Sequence, residues 1–153
     1  MPPGRRQLRQ SYTLALLQAG RLWRRAADTV VERHGLSDAT ALPLLLIGRL
    51  KGEPRQATLA EAVGVEGPTL VRLLDQLCGA GLVNRREDPT DRRAKVLTLT
   101  QAGQAAVATI EAELTQLRET VFDGVSAADL EASLRVFQAL QDYNRRERAE
   151  AAP

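Results

Sequence analysis

Three polar side chains, Thr69, Arg72 and Gln76, recur at spacings of three and four residues in the run GPTLVRLLDQL. On a helix such spacing gathers them on one face. Leu70, Leu73, Leu74 and Leu77 fall on the opposite stripe, which must turn inward. Arg offers two parallel N–H donors that match the O6 and N7 acceptors of guanine, and Thr and Gln can bond either kind of base edge. The chemistry open to this face is therefore readout of a nucleic-acid groove. A polar outer face is also what any amphipathic helix carries, so the face alone does not decide the matter.

The next stretch adds weight. Between Val83 and Lys95 stand five basic residues, Arg85, Arg86, Arg92, Arg93 and Lys95, against three acidic ones, Glu87, Asp88 and Asp91. Asp88-Pro89-Thr90-Asp91 has the composition of a tight turn, and Ala94–Leu99 has that of a returning strand. Arginine at a hairpin tip suits a narrow minor groove, where the negative potential is strongest. Arg92 is the candidate for that role, with Asp91 beside it to orient the guanidinium through a charge-assisted bond. Arg85, Arg86, Arg93 and Lys95 are candidates for phosphate, contacts that place a protein on a duplex without reading its sequence.

These side chains need a scaffold, and Thr58–Thr100 supplies one. Thr58 and Glu61 form a capping-box pattern that would open a first helix, and Gly64 would close it. Gly67 stands where an N-cap is expected, and Pro68 at the first helical position, where its missing N–H costs nothing. Thr58, Gly67 and Pro68 thereby join the residues expected on the DNA side. Gly81 ends the second helix, and the hairpin follows. Helix, turn, helix and basic ribbon make a winged helix-turn-helix.

The run LVRLLDQLCGAGLVNRREDPTDRRAKVLTLTQAG closely resembles the MarR family of bacterial transcription regulators, in particular its SlyA-like branch. The LVRLLDQL helix, the AGLV helix end, the DPTDRRAKVLTLT wing and the following T-x-x-G helix start carry the likeness. The resemblance implies a homodimeric repressor or activator that binds a pseudo-palindromic operator in double-stranded DNA. It also implies release by a small aromatic carboxylate lodged between the dimer helices and the DNA-binding lobe; Trp23 and His34 are the candidate residues for that pocket. Some relatives sense peroxide through a cysteine near the start of the first helix, and this chain has none there.

The rest of the chain is consistent with a mostly helical protein of one domain. Its 153 residues can bury a core without disulfides or metal. Aromatics are only 3% of the chain and the apolar content is 44%, so Leu, Ala and Val must fill that core. The net charge of +2 does not argue for nucleic acid, but its distribution is uneven: residues 1–33 carry +5 and residues 101–153 carry −4. Residues 1–8 read as a flexible arm. Residues 9–35 and 101–148 read as dimerisation helices around a lobe at 54–100. Leu16, Ala19, Trp23, Ala26 and Val30 form a heptad-like seam in the first of them. Val107, Ile110, Leu114, Leu117 and Val121, then Leu130, Leu134, Phe137 and Leu140, repeat the pattern. Ser37 or Asp38 and Ser126 with Asp129 are further helix starts. Pro43 should kink or break the apolar helix ALPLLLIGRL. The three long stripes exceed what a small winged helix needs for itself, and a twofold dimer accounts for the surplus.

Other chemistry has little to stand on. One His and one Cys make neither a zinc cluster nor a catalytic triad, and GVEGPT lacks the lysine of a phosphate loop. An enzyme, a bound cofactor and a metal are thus not expected. Cys78 sits against the Leu stripe and reads as a packed thiol. A single cysteine and no apolar leader or span suit a cytoplasmic protein working at the nucleoid. The competing reading keeps the winged helix but uses it as a protein-interaction module, or as a ligand sensor, without specific DNA binding.

Overall fold

The structure is a computed structural model and describes residues 4–50 and 52–151. Its elements in order are α1 (Arg5–Val31), a 3-10 turn (Glu32–His34), α2 (Asp38–Arg49), α3 (Gln56–Val63), α4 (Gly67–Gly79), β1 (Val83–Glu87), β2 (Lys95–Leu99), α5 (Gln101–Val121) and α6 (Ala127–Ala151). The chain divides into two compact units, the first ending at Leu117 and the second beginning at Arg118.

α2 lies at the centre of the first unit. Ala41, Leu44, Leu45 and Ile47 are buried from it, against Leu59 of α3, Leu70, Leu74 and Leu77 of α4, Leu97 of β2 and Ile110 and Leu114 of α5. Ser37 starts α2 with a reciprocal cap: its hydroxyl accepts from the Thr40 N–H, while the Thr40 hydroxyl accepts from the Ser37 N–H. Pro43 does not break the helix. α2 runs unbroken through it to Arg49, and Pro43 itself is fully buried. A proline inside a helix costs about 3 kcal/mol, and the buried side chains on either side of it offset that.

The helix pair is as expected in kind but not in its first residues. α3 begins at Gln56, with Arg55 as an N-cap that offers no side-chain bond. Thr58 is therefore inside the first turn and caps nothing. Likewise Glu66, not Gly67, is the N-cap of α4, so Gly67 and Pro68 are its first two residues. Sequence cannot fix such boundaries when several adjacent residues could serve as cap. The Leu stripe of α4 is buried as its spacing requires, and Gly81 turns the chain out of the helix with a left-handed φ of 73°.

β1 and β2 pair antiparallel with Val83 opposite Leu99 and Glu87 opposite Lys95. A third segment joins them: Arg55 forms a bridge with Val96, and the Leu97 N–H donates to the Pro54 carbonyl. The T-x-x-G helix start also has a physical cause. The Thr100 N–H donates to the Leu82 carbonyl, its hydroxyl donates to the Gly81 carbonyl, and the same hydroxyl oxygen accepts from the Gly103 N–H. A Cβ on Gly103 would stand 2.0 Å from the Leu82 carbonyl oxygen, so only glycine fits there.

The chain ends differ from the sequence pattern. α1 starts at Arg5, so residues 5–8 are helix rather than arm; residues 1–3 of that arm, and Lys51 at the expected end of α2, lie outside the described residues. In the second unit the Ser126 hydroxyl accepts from the Asp129 N–H at the start of α6 and donates to the Asp129 carboxylate. α6 then continues to Ala151, past the polar run in which the apolar pattern fades. Arg, Glu and Ala are strong helix formers, and Gln138, Asp142 and Arg145 bond one another along the helix surface. Leu8, Leu14, Leu17 and Leu22 of α1 and Leu130, Leu134, Leu140 and Tyr143 of α6 are exposed. Among the described residues no helix is long and apolar enough to cross a membrane.

Candidate nucleic-acid interface

Thr69, Arg72 and Gln76 are all exposed on α4, on the side away from its buried leucines. The Arg72 side chain has no hydrogen bond or ion pair among the described residues. Neither do the guanidinium groups of Arg92 and Arg93 at the hairpin tip. Three arginines are thus available to an outside partner.

The other cations are engaged. Arg85 on β1 reaches back to Asp75 on α4 at 2.8 Å. Arg86 pairs with Glu53 and also donates to the Glu87 carbonyl. Lys95 stands 3.4 Å from Glu87 across the ladder. These pairs are largely exposed, where an ion pair contributes about 0–1 kcal/mol. A phosphate could therefore replace the carboxylate at small cost.

The turn between the strands is built around one carboxylate. Asp88 is only 7% exposed. Its Oδ1 accepts from the Thr90 N–H at 2.8 Å and the Thr90 hydroxyl at 2.7 Å. Its Oδ2 accepts from Arg55 Nε at 2.8 Å and forms an ion pair with Nη2 at 2.7 Å. The Thr90 hydroxyl and then its N–H hold the Asp88 carboxyl down to about 2; burial opposes them, and Arg55 adds two smaller lowering effects. The backbone closes the loop beneath it, with the Asp88 N–H on the Ala94 carbonyl and the Ala94 N–H on the Asp91 carbonyl.

Asp91 does not orient Arg92. Its Oδ1 accepts from the Arg93 backbone N–H at 3.0 Å, closing an Asx turn. A short side chain at a turn bonds the backbone two residues on more readily than a neighbour's long guanidinium. Asp91 therefore shapes the loop that carries Arg92 rather than steering the arginine itself. An open cleft of about 350 Å³ lies between the start of α3 and the wing. Ala57, Gly67 and Ala94 contribute to its walls, as do Arg55, Arg93 and Lys95.

Residues 34–94 match the sequence profile of the MarR family. The chain is also 37% identical to the transcriptional regulator PA3341, with a TM-score of 0.80 over 88% of this chain and 98% of that one. The chain belongs to the MarR family of transcription regulators. Two further solved structures have the same fold at lower identity. One is the Staphylococcus aureus MepR–DNA complex, at 20% identity and TM-score 0.76 over 86% of this chain and 97% of that one. The other is S. aureus MarR in complex with salicylate and kanamycin, at 19% and 0.78 over 92% and 94%.

In this MarR-family protein the two residues suggested for an effector pocket do not meet within one chain. Trp23 is half-buried on α1, and His34 follows roughly 16 Å further along the helical path. His34 Nε2 is 3.0 Å from Glu113 Oε1, and Arg33 Nη1 is 3.4 Å from the other oxygen. His34 thus joins the end of the 3-10 turn to α5. Cys78 is half-buried and packs against the core. Among the described residues no group of three or more His, Cys, Asp or Glu stands close enough to hold a metal.

Arg55, Asp88 and Thr90 are the residues that the sequence pattern leaves out. Asp-Pro-Thr could have signalled an Asp side chain folded onto its own turn. Nothing local could have pointed to Arg55, which lies 33 residues away from its partner.

Proposed function

We propose that this MarR-family protein is a homodimeric, sequence-specific repressor of transcription. α4 enters the major groove, Arg72 and Thr69 read base edges, and Arg92 enters the adjoining minor groove. The observation that carries this reading is the pair of exposed surfaces on one lobe. The outer face of α4 and the tip of an anchored hairpin both end in arginines without internal partners.

The exposed leucines of α1 and α6 support the dimer. Large apolar side chains left in water on two helices are the usual mark of a subunit interface. Two copies related by a twofold axis would present α4 to half-sites about one turn, near 10 base pairs, apart. A small aromatic carboxylate that binds better to a dimer with a different spacing of its two lobes would release the DNA, and only by that difference in affinity.

The test is selection of genomic fragments by the purified protein, followed by sequencing and titration. A pseudo-palindromic site should emerge, and Arg92→Ala should weaken binding to it strongly. Retention of no double-stranded fragment at low salt, or of all fragments equally, sinks the reading.

A further inference from the structure

The wing is a long loop on a two-stranded ribbon, a form that has little rigidity of its own. Residues 89–93 at its tip are all exposed. Among the described residues, the side-chain bonds that tie loop 88–94 to anything outside the hairpin come from one residue, Arg55. Its Nε donates to Asp88 Oδ2, its Nη2 forms an ion pair with the same oxygen at 2.7 Å, and Nη2 donates to the Thr90 hydroxyl at 3.4 Å. Its backbone does two other things at once. It bridges Val96, the second residue of β2, and its carbonyl accepts the first helical bond of α3, from the Leu59 N–H. One residue therefore joins the helix-turn-helix, the returning strand and the wing tip.

We propose that Arg55 is a positioning residue: it fixes the wing against the helix-turn-helix so that Arg92 meets the minor groove while α4 lies in the major groove. This role rests on the DNA-binding reading above. The Asp88 side chain is 10% exposed and that of Arg55 is 48% exposed, so the clamp has a buried jaw and an open one. Arg55 holds its wing partner with fixed planar geometry, which a lysine could not reproduce. Without it, Asp88 still has Thr90 as a partner, but the turn is no longer tied to α3 and opens more often. A wing that wanders must be ordered again when DNA binds, and that ordering weakens association.

Because Arg55 is half-exposed, it could instead touch DNA directly, and the experiment separates the two. Affinity for the selected site is measured over a range of salt for wild type, Arg55→Gln, Asp88→Asn, Arg92→Ala and the pairwise doubles. Arg55→Gln and Asp88→Asn should each lower affinity about five- to fiftyfold, and the Arg55/Asp88 double no further. Combined with Arg92→Ala, Arg55→Gln should add little, since it acts through the same side chain. It should also flatten the salt dependence by about as much as Arg92→Ala does. Hydrogen exchange on the free protein should speed up at Thr90 and Asp91 and stay unchanged in α4.

Full additivity with Arg92→Ala would make Arg55 an independent DNA contact and overturn the proposal. So would unchanged affinity, or exchange that rises across the whole lobe. Wild-type protein that binds no DNA overturns the DNA-binding reading and this role together, whereas wild-type binding with an indifferent Arg55→Gln overturns this role alone.

Discussion

Arg55 Nε and Nη2 lie 2.8 and 2.7 Å from the same oxygen of Asp88, joining the start of α3 to the wing. The other oxygen of Asp88 is taken by the N–H and hydroxyl of Thr90. A carboxylate with its lone pairs filled on both sides is far more stable charged than protonated. The expected consequence is a contribution to stability that depends on pH in a window set by Asp88.

Asp88 titrates near 2 in the folded chain, against about 3.9 for an ordinary aspartate. A carboxyl whose folded value is depressed contributes stability above the unfolded value and loses it as pH falls through the folded one. The contribution of Asp88 is therefore complete above about pH 4 and vanishes toward pH 2. Thermal unfolding of Asp88→Asn between pH 6 and 2 should show a flatter acid limb than wild type over that window. Identical limbs would mean that the carboxylate is not held as the geometry implies.

Gly103→Ala gives a test of sign. Helix propensity alone predicts that alanine in the first turn of α5 stabilises by up to about 1 kcal/mol. The added methyl would instead meet the Leu82 carbonyl oxygen at 2.0 Å, and that oxygen already accepts from the Thr100 N–H. Backbone must shift, so destabilisation of about 1–3 kcal/mol is expected. Urea denaturation measures it, and a more stable variant would contradict the close approach.

The same residues explain what could be read in advance. The buried stripe of α4 was legible because four leucines at helical spacing have one possible side to hide. The hairpin was legible from turn chemistry between two strand-like runs. Helix starts were less so: Arg55 and Glu66 serve as N-caps through backbone conformation alone, and a side-chain rule searching for Thr or Gly passes over them. Pro43 deceived for the opposite reason, since burial outweighed a strong local preference. At the site, exposed Arg72 and Arg92 could be named because exposure follows from the pattern of their neighbours. Asp91 and Asp88 could not be assigned, because which of two nearby acids faces the loop and which faces Arg55 depends on contacts across 33 residues.

Leu134 on α6 is 64% exposed and Leu17 on α1 is 62% exposed in the single chain. In the proposed dimer, full burial of a leucine would contribute about 1.5–3 kcal/mol, and an aspartate at either position would lose that and bury a charge as well. Leu134→Asp should convert a dimer to monomer in sedimentation at micromolar concentration and reduce DNA affinity by the loss of the second half-site. Its helical signal should remain. A variant that stays dimeric would remove α6 from the interface.

Asp75 offers the last prediction. It lies on α4 one residue before Gln76, 56% exposed at its side chain, and holds Arg85 at 2.8 Å. An acid on a surface meant for DNA repels phosphate and also occupies a cation that could meet one. The pair is exposed, so breaking it should cost about 0–1 kcal/mol of stability. Asp75→Asn keeps the shape, removes the charge and frees Arg85. If Arg85 then reaches phosphate, affinity at low salt should rise and the salt dependence should steepen by about one ion for each half-site. The gain should be similar for specific and random sequences, because phosphate contacts carry no base information. The Asp75–Arg85 pair would then tune the balance between specific and general binding, holding down the part of the affinity that any duplex can claim. Titrations of both DNAs at several salt concentrations decide it: an unchanged slope would mean that Arg85 stays with α4 whatever is bound.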